Sequence, residues 1–157
     1  MQSEPSQHRL PYEVFIAGPF SVARGRDGLV RRDVATAVKE VIGVCEELSR
    51  TYFSSHSLEE FGRVRVPDAE LAARDIAALE CVSVFMMLWW HDLPSAGSLI
   101  ELGFALAMGR RCHWIDVSGN SRGLSEYLDG LCEQGSLARW NANSGQVREV
   151  IREILMQ

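Results

Sequence analysis

Glu101 is the residue whose surroundings point most directly to chemistry. It is a lone carboxylate in the apolar segment Leu99–Met108, whose side chains leave it little chance of full solvation. A carboxylate held away from water needs either a partner or a catalytic purpose. The structural alternative is a capping box, in which the glutamate binds the backbone amide of Ser98, three residues earlier. The sequence alone leaves both interpretations open.

Several further side chains could contribute to a site, and each also has an ordinary explanation. Asp75 lies in a helical segment that leads toward the central strand, where it could equally pair with Arg74 or face solvent. His56 follows a short strand, where a single histidine is more often a surface or capping group than a catalytic one. Trp89 and Trp90 end the third strand, so one is expected in the core and the other could stack on a base.

Two loops that follow predicted strands have compositions suited to a single phosphate group. They are Gly18–Ser21 and Pro94–Ser98, and the second leads directly into a helix. Free amides and the positive end of the dipole at a helix N-terminus favour an anion, and the hydroxyls of Ser95 and Ser98 could add donors. The same composition is typical of a helix cap and a tight turn, so this signal alone is not specific.

Strands and helices alternate along the chain. Apolar runs predict strands at Tyr12–Ala17, Thr51–Ser54, Val82–Trp89, Cys112–Val117 and Leu137–Trp140; helical spacing predicts helices at Arg31–Arg50, Pro67–Glu80, Leu99–Met108, Leu124–Cys132 and Gln146–Met156, with a loop or broken helix at Ser55–Val66. Buried strands in such alternation imply an α/β fold, a doubly wound sheet of about five parallel strands with helices on both faces. Ligands of these sheets bind beyond the carboxyl ends of the strands, where the two loops are expected to meet.

Composition and charge limit the class of protein. The 157 residues suit one domain, predicted at residues 11–157 after a flexible tail at residues 1–10, with no signal peptide or membrane span. A net charge of −5 with scattered basic residues argues against nucleic-acid polymers and leaves room for a small phosphorylated ligand. The four cysteines lie far apart without a C-x-x-C pair, so we expect free thiols in a cytoplasmic protein, no metal and no cofactor.

Three segments together resemble the nucleoside 2-deoxyribosyltransferase-like family, in particular its nucleoside 5′-monophosphate N-glycosidases. They are Val14–Phe20, Asp75–Phe85 and Pro94–Gly109, and the resemblance extends over residues 12–132. The last segment is the most specific, because a serine six residues before Glu-Leu-Gly, followed by small residues and a glycine, is unusual outside this family. The fold that the resemblance implies is flavodoxin-like or Rossmann-like.

The resemblance implies a role for each matching residue. Glu101 would attack the anomeric carbon of the sugar, and Asp75 would contact the sugar hydroxyls and orient that glutamate. Ser95 and the first loop would bind the 5′-phosphate, and His56 would lie near the base. Beyond these, the predicted substrate site contains Phe15, Gly18, Pro19, Phe20, Ser21, Trp89, Gly97, Ser98 and Ser125.

Ser125 and Phe15 bear on the substrate. The family delivers the position of Ser125 into the active site of a neighbouring subunit, and monophosphate hydrolases have a serine there, so the resemblance implies a homodimer with shared sites. Phe15 stands where hydrolases of ribonucleotides have phenylalanine and deoxyribose-selective ones have tyrosine. The expected activity is hydrolysis of a nucleoside 5′-monophosphate, with CMP as one candidate, to free base and (deoxy)ribose 5-phosphate. A nucleoside 2-deoxyribosyltransferase and a non-catalytic nucleotide sensor are the alternatives.

Overall fold

The computed structural model describes residues 12–118, 126–143 and 145–157. Its strands are β1 (Val14–Ala17), β2 (Tyr52–Phe53), β3 (Val84–Trp89), β4 (Arg111–Asp116) and β5 (Leu137–Asn141). Its helices are α1 (Arg32–Glu47), α2 (Ser55–Leu58), α3 (Asp68–Cys81), α4 (Ala96–Ala107), α5 (Glu126–Glu133) and α6 (Val147–Met156), and a 3₁₀ turn spans Glu60–Gly62. Within these residues the strands form one parallel sheet in the order β2-β1-β3-β4-β5. The predicted α/β fold is confirmed.

The sheet has a separate apolar core on each face. Alternate residues of the central strands, such as Ile16 and Met86, point toward α1 and α6. Their neighbours in the strands, such as Phe15 and Phe85, point toward α3 and α4. Every residue of β1 and β3 is therefore buried, which explains why both strands are uninterrupted apolar runs in the sequence.

The order of the strands places a binding crevice between β1 and β3. These two strands are neighbours in the sheet, and β1 is followed by α1 on one face whereas β3 is followed by α4 on the other. The chain thus leaves adjacent strands in opposite directions, which opens a crevice beyond their carboxyl ends. Both loops singled out in the sequence begin there.

Most predicted elements agree with the structure to within a few residues, and the start of α4 is the difference that matters. The sequence pattern predicts a start near Leu99, whereas α4 begins at Ala96. Ser95 is its N-cap, because its Oγ accepts a hydrogen bond from the Ser98 amide at 3.3 Å. The apparent turn at Pro94–Ser98 is therefore largely the first turn of the helix.

The segment between β2 and α3 is a broken helix, as predicted. It consists of α2 and the 3₁₀ turn, in which Phe61 has a left-handed backbone with φ of 57°. Gly62 follows with φ of 97°, and a Cβ atom there would lie 2.3 Å from the Gly28 carbonyl oxygen. The loop after β1 therefore packs against the turn so closely that position 62 has room only for glycine.

None of the described helices is long and apolar enough to cross a bilayer. The predicted N-terminal tail lies outside the described residues, as does the start of the helix that was predicted from Leu124.

Candidate active site

A cavity of about 300 Å³ lies at the carboxyl ends of β1 and β3. Its walls come from β1 and the loop after it, from α2 and α3, and from the first two turns of α4. The predicted site residues that line it are Phe15, Gly18, Phe20, Ser21, His56, Asp75, Ser95, Gly97, Ser98 and Glu101. One cavity therefore brings together both predicted catalytic carboxylates and both predicted phosphate loops.

Among the described residues, two predicted site residues, Trp89 and Pro19, do not line the cavity. Trp89 is 2% exposed and packs in the core beneath α4, and Trp90 is buried in the core on the opposite face of the sheet. Neither indole is placed to stack on a base in this cavity. Pro19 is buried beside the cavity without lining it, and Ser125 lies outside the described residues.

Glu101 does not cap its own helix. The Ser98 amide, which a capping box would offer to the glutamate, donates to Ser95 Oγ instead, and Ser98 Oγ donates to the same oxygen at 3.1 Å. Because α4 begins at Ala96, Glu101 lies in the second helical turn, beyond the reach of the N-cap. The capping-box alternative is excluded, and the carboxylate lines the cavity.

The surroundings of Glu101 favour its neutral form. Burial, together with the nearby negative charge of Asp75, raises the pKa of the Glu101 carboxyl group to about 8. Titratable groups with strongly shifted pKa values in a cleft are typical of functional sites. In the free protein Glu101 therefore carries a proton through most of the neutral pH range.

Asp75 extends from the middle of α3 to the wall of the cavity. Its Oδ1 accepts a hydrogen bond from the Ser55 hydroxyl at 2.7 Å. Burial raises its pKa and the negative charge of Glu59 adds to this, while the Ser55 hydrogen bond acts in the opposite direction. Arg74, the expected structural partner, pairs instead with Glu70 one turn earlier. The pairing alternative for Asp75 is thus excluded.

His56 is a buried wall residue of the cavity, with 1% of its surface exposed. Its ring lies edge-on to Phe20 with the centroids 4.9 Å apart, and its Nε2 would be 3.1 Å from a Cβ atom placed on Gly18. Burial lowers the pKa of His56 to about 4, so the imidazole is neutral at physiological pH. These contacts make His56 a support for the loop after β1, and not a cationic proton donor.

The first turn of α4 faces the loop after β1 across the cavity. Ser95, Gly97 and Ser98 line one side, and Gly18 and Ser21 line the other. No lysine or arginine is among the described residues of this cavity. An anion would therefore be held by backbone amides, hydroxyl groups and the dipole of α4.

Sequence reasoning missed one polar residue of this cavity, Ser55. It stands among the serines that flank His56, and nothing in its local pattern separates it from Ser54 or Ser57. Its contact with Asp75 joins residues 20 positions apart, so only the fold reveals it.

The raised pKa of Glu101 predicts a stability change in the variant Glu101→Gln. A carboxyl group whose pKa rises from 4.5 to about 8 on folding takes up a proton, so the wild-type protein loses stability as the pH rises through that window. The variant lacks this loss, which amounts to about 1.4 kcal/mol for every pH unit that separates the folded and unfolded pKa values. Its melting temperature should exceed that of the wild type by roughly 10 °C or more above about pH 8 and match it below about pH 5.

Thermal unfolding followed by circular dichroism across this pH range measures the effect. Glu40→Gln is the matched control, because Glu40 is a half-buried glutamate of α1, on the other face of the sheet. A melting temperature difference for Glu101→Gln that does not change with pH would contradict the burial of an ionisable carboxyl group here.

Comparison with known proteins supports the fold. No protein-family model and no curated protein sequence matches the chain. The solution structure of BlsM matches with a TM-score of 0.71 at 19% sequence identity, over 94% of this chain and 93% of BlsM. The CMP N-glycosidase BcmB from Clostridium botulinum matches with a TM-score of 0.64 at 15% identity, over 92% of this chain and 98% of BcmB. The chain shares its flavodoxin-like α/β fold with both.

Proposed function

We propose that the chain is a member of the nucleoside 2-deoxyribosyltransferase-like family that hydrolyses the N-glycosidic bond of a nucleoside 5′-monophosphate. The observation that carries this proposal is the cavity whose lining combines Glu101 and Asp75 with the N-terminus of α4 at Ser95, where an anion could bind. A sugar phosphate needs these two kinds of group at its two ends. The fold shared with the CMP N-glycosidase BcmB supports the same interpretation.

The chemistry proceeds in two displacements at the anomeric carbon. The Glu101 carboxylate attacks C1′ as the bond to the base nitrogen breaks, and the electron pair of that bond leaves with the base, which takes up a proton from water. Water then attacks C1′, releases ribose 5-phosphate, and restores the carboxylate after losing a proton. Asp75 binds the sugar hydroxyls and orients Glu101, since both side chains line the cavity and the negative charge of Asp75 acts on Glu101.

The phosphate end of the substrate binds at the first turn of α4 and at the loop after β1. Ser95, Ser98 and Ser21 supply hydroxyl groups there, and the helix dipole favours a negative charge. These donors are neutral, and no lysine or arginine is among the described residues of the cavity. The phosphate is therefore bound without a basic side chain that could also pair with the carboxylates at the sugar end.

We propose that the protein prefers ribonucleotides to deoxyribonucleotides. Phe15 lies in the cavity wall and packs against Phe53 and Phe85, with ring centroids 5.3 and 5.5 Å away. It offers no hydroxyl group to the sugar, whereas a tyrosine at this position would add one beside the ribose. CMP is the first ribonucleotide to test, because BcmB acts on it.

Product analysis tests the proposed function. Nucleoside monophosphates and free nucleosides are incubated with the protein, with and without a second free base, and the products are separated by chromatography. We expect free base and ribose 5-phosphate from a monophosphate, and none from the matching nucleoside. An exchanged nucleoside would identify a transferase instead, and tight binding without products would identify a nucleotide sensor.

We also propose that two copies of the chain form a homodimer through the outer face of α4. This face exposes large apolar side chains, including Ile100 at 63% and Phe104 at 46% of their surface. An apolar groove of about 620 Å³ between α4 and α5 continues the same surface. Pairing of these faces would place the second copy beside the cavity, in keeping with the family's use of the Ser125 position.

The variant Phe104→Glu tests this interface. A buried, unpaired carboxylate costs several kcal/mol, so we expect the variant to sediment as a monomer and to lose most of its activity. Met156→Glu is the control, because Met156 is also apolar and is more exposed than Phe104, at 75% of its surface, but lies at the end of α6, on the other face of the sheet. A wild-type protein that is monomeric at micromolar concentration would contradict the dimer.

A further inference from the structure

We infer that Ser55 is a positioning residue for Asp75, which it holds through the 2.7 Å hydrogen bond to Oδ1 so that Oδ2 is left for the sugar hydroxyls. Ser55 itself lines the cavity but does not need to touch the substrate for this role. The role rests on the proposed function, in which Asp75 binds the sugar and orients Glu101.

The position of Ser55 is fixed by the helix that it begins. Ser54 is the N-cap of α2, and its Oγ accepts a hydrogen bond from the Ser57 amide at 3.4 Å. Ser55 therefore occupies the first turn of α2, immediately after β2, with its hydroxyl directed at α3. The sheet strand β2 and the capped turn together define where this donor stands.

The described residues offer the Asp75 carboxyl group no hydrogen bond besides the one from Ser55. The acidic groups near Asp75 do not attract it: Glu59 at the end of α2 raises the pKa of Asp75 by its negative charge, and the Glu101 carboxyl group lies nearby on α4. His56 is neutral at physiological pH, and Arg74 on its own helix is engaged by Glu70.

Loss of the Ser55 hydroxyl would have two consequences for Asp75. The carboxylate would lose its fixed orientation toward the sugar, which affects the transition state more than initial binding. It would also lose the one interaction that favours its charged form, so its pKa would rise further. Both effects act on the turnover step and on its pH dependence.

The experiment compares three variants on the nucleotide that the wild type cleaves. Ser55→Ala should lower kcat by about 10- to 100-fold, the usual effect of one hydrogen bond to a charged group, with KM changed by less than about threefold. The ionisation of Asp75 in the kcat profile should also move to higher pH, within the acidic range below the ionisation of Glu101. Ser55→Thr keeps a hydroxyl group and should restore most of the activity and the wild-type pH dependence of kcat.

Ser57→Ala is the matched control, since Ser57 lies on the same short helix and its hydroxyl makes no hydrogen bond within the described residues. It should behave as the wild type. Wild-type kcat and an unmoved pH profile in Ser55→Ala would overturn the inference. A loss of activity in Ser55→Ala that Ser55→Thr does not restore would also overturn the inference, because a role of Ser55 in packing alone would then explain the loss.

A second readout separates this inference from the proposed function. Carbon NMR of the Asp75 carboxyl group follows its titration in the free protein, without any substrate. Ser55→Ala should move that titration to higher pH even if the wild type cleaves no nucleotide, in which case the proposed function fails and the contact stands. If Ser55→Ala leaves the titration of Asp75 unchanged while the wild type hydrolyses the nucleotide, the inference is overturned and the proposed function stands.

Discussion

Glu101→Gln should abolish release of the base from nucleoside 5′-monophosphates, with kcat/KM at least about four orders of magnitude below the wild-type value. Glutamine has nearly the shape of glutamate, so the cavity keeps its size and its hydrogen-bonding groups. What it lacks is a negative charge and a nucleophilic oxygen. Both are needed for an oxocarbenium-like transition state at the anomeric carbon.

Steady-state kinetics with chromatographic detection of the base measures this loss. Glu40→Gln, on the far face of the sheet, should retain wild-type kinetics. Glu101→Gln should still bind the nucleotide, because the residues proposed to bind the phosphate at the start of α4 are unchanged. A variant that is folded and keeps even a tenth of the wild-type rate would exclude Glu101 as the nucleophile.

The rate should increase steeply with pH in the neutral range. In the proposed mechanism Glu101 attacks as the carboxylate, and burial raises its pKa in the free protein to about 8. Since kcat/KM reports the ionisation of free enzyme and free substrate, it should rise about tenfold per pH unit between about pH 6 and pH 8 and then level off. If the carboxyl group were fully solvated, kcat/KM would instead rise near its ordinary pKa of 4.5.

The variant Asp75→Asn tests what causes this rise of kcat/KM with pH. Because the negative charge of Asp75 raises the pKa of Glu101, its removal should shift the limb of the residual activity to lower pH. A profile that is flat from pH 6 to pH 8 in the wild type would contradict a buried nucleophile.

The fold follows from the sequence because its central strands are buried on both faces. Val84–Trp89 is apolar throughout, and its neighbours Val14–Ala17 are as well, which is typical of the centre of a parallel sheet. The start of α4 was harder to predict, because Ser95 and Ser98 are equally good caps by residue type. Only the backbone geometry shows that Ser95 is the cap.

The carboxylates of the site could be predicted, and some of its neighbours could not. Glu101 stands out as a charge within an apolar helix, whereas Trp89 is one of several aromatic residues at a strand end. Which face of the sheet Trp89 joins depends on register, and it joins the core beneath α4. Ser55 acts across 20 residues of sequence, a distance at which no local pattern is informative.

A crystal structure of Glu101→Gln with the cleaved nucleotide bound tests the central claim most directly, because this variant should bind without turnover. We expect the anomeric carbon about 3–3.5 Å from the side chain at position 101, with sugar hydroxyls on Asp75 and the phosphate at the first turn of α4. A nucleotide bound in the groove between α4 and α5, or with its base and not its sugar beside position 101, would contradict the assignment of Glu101 as nucleophile.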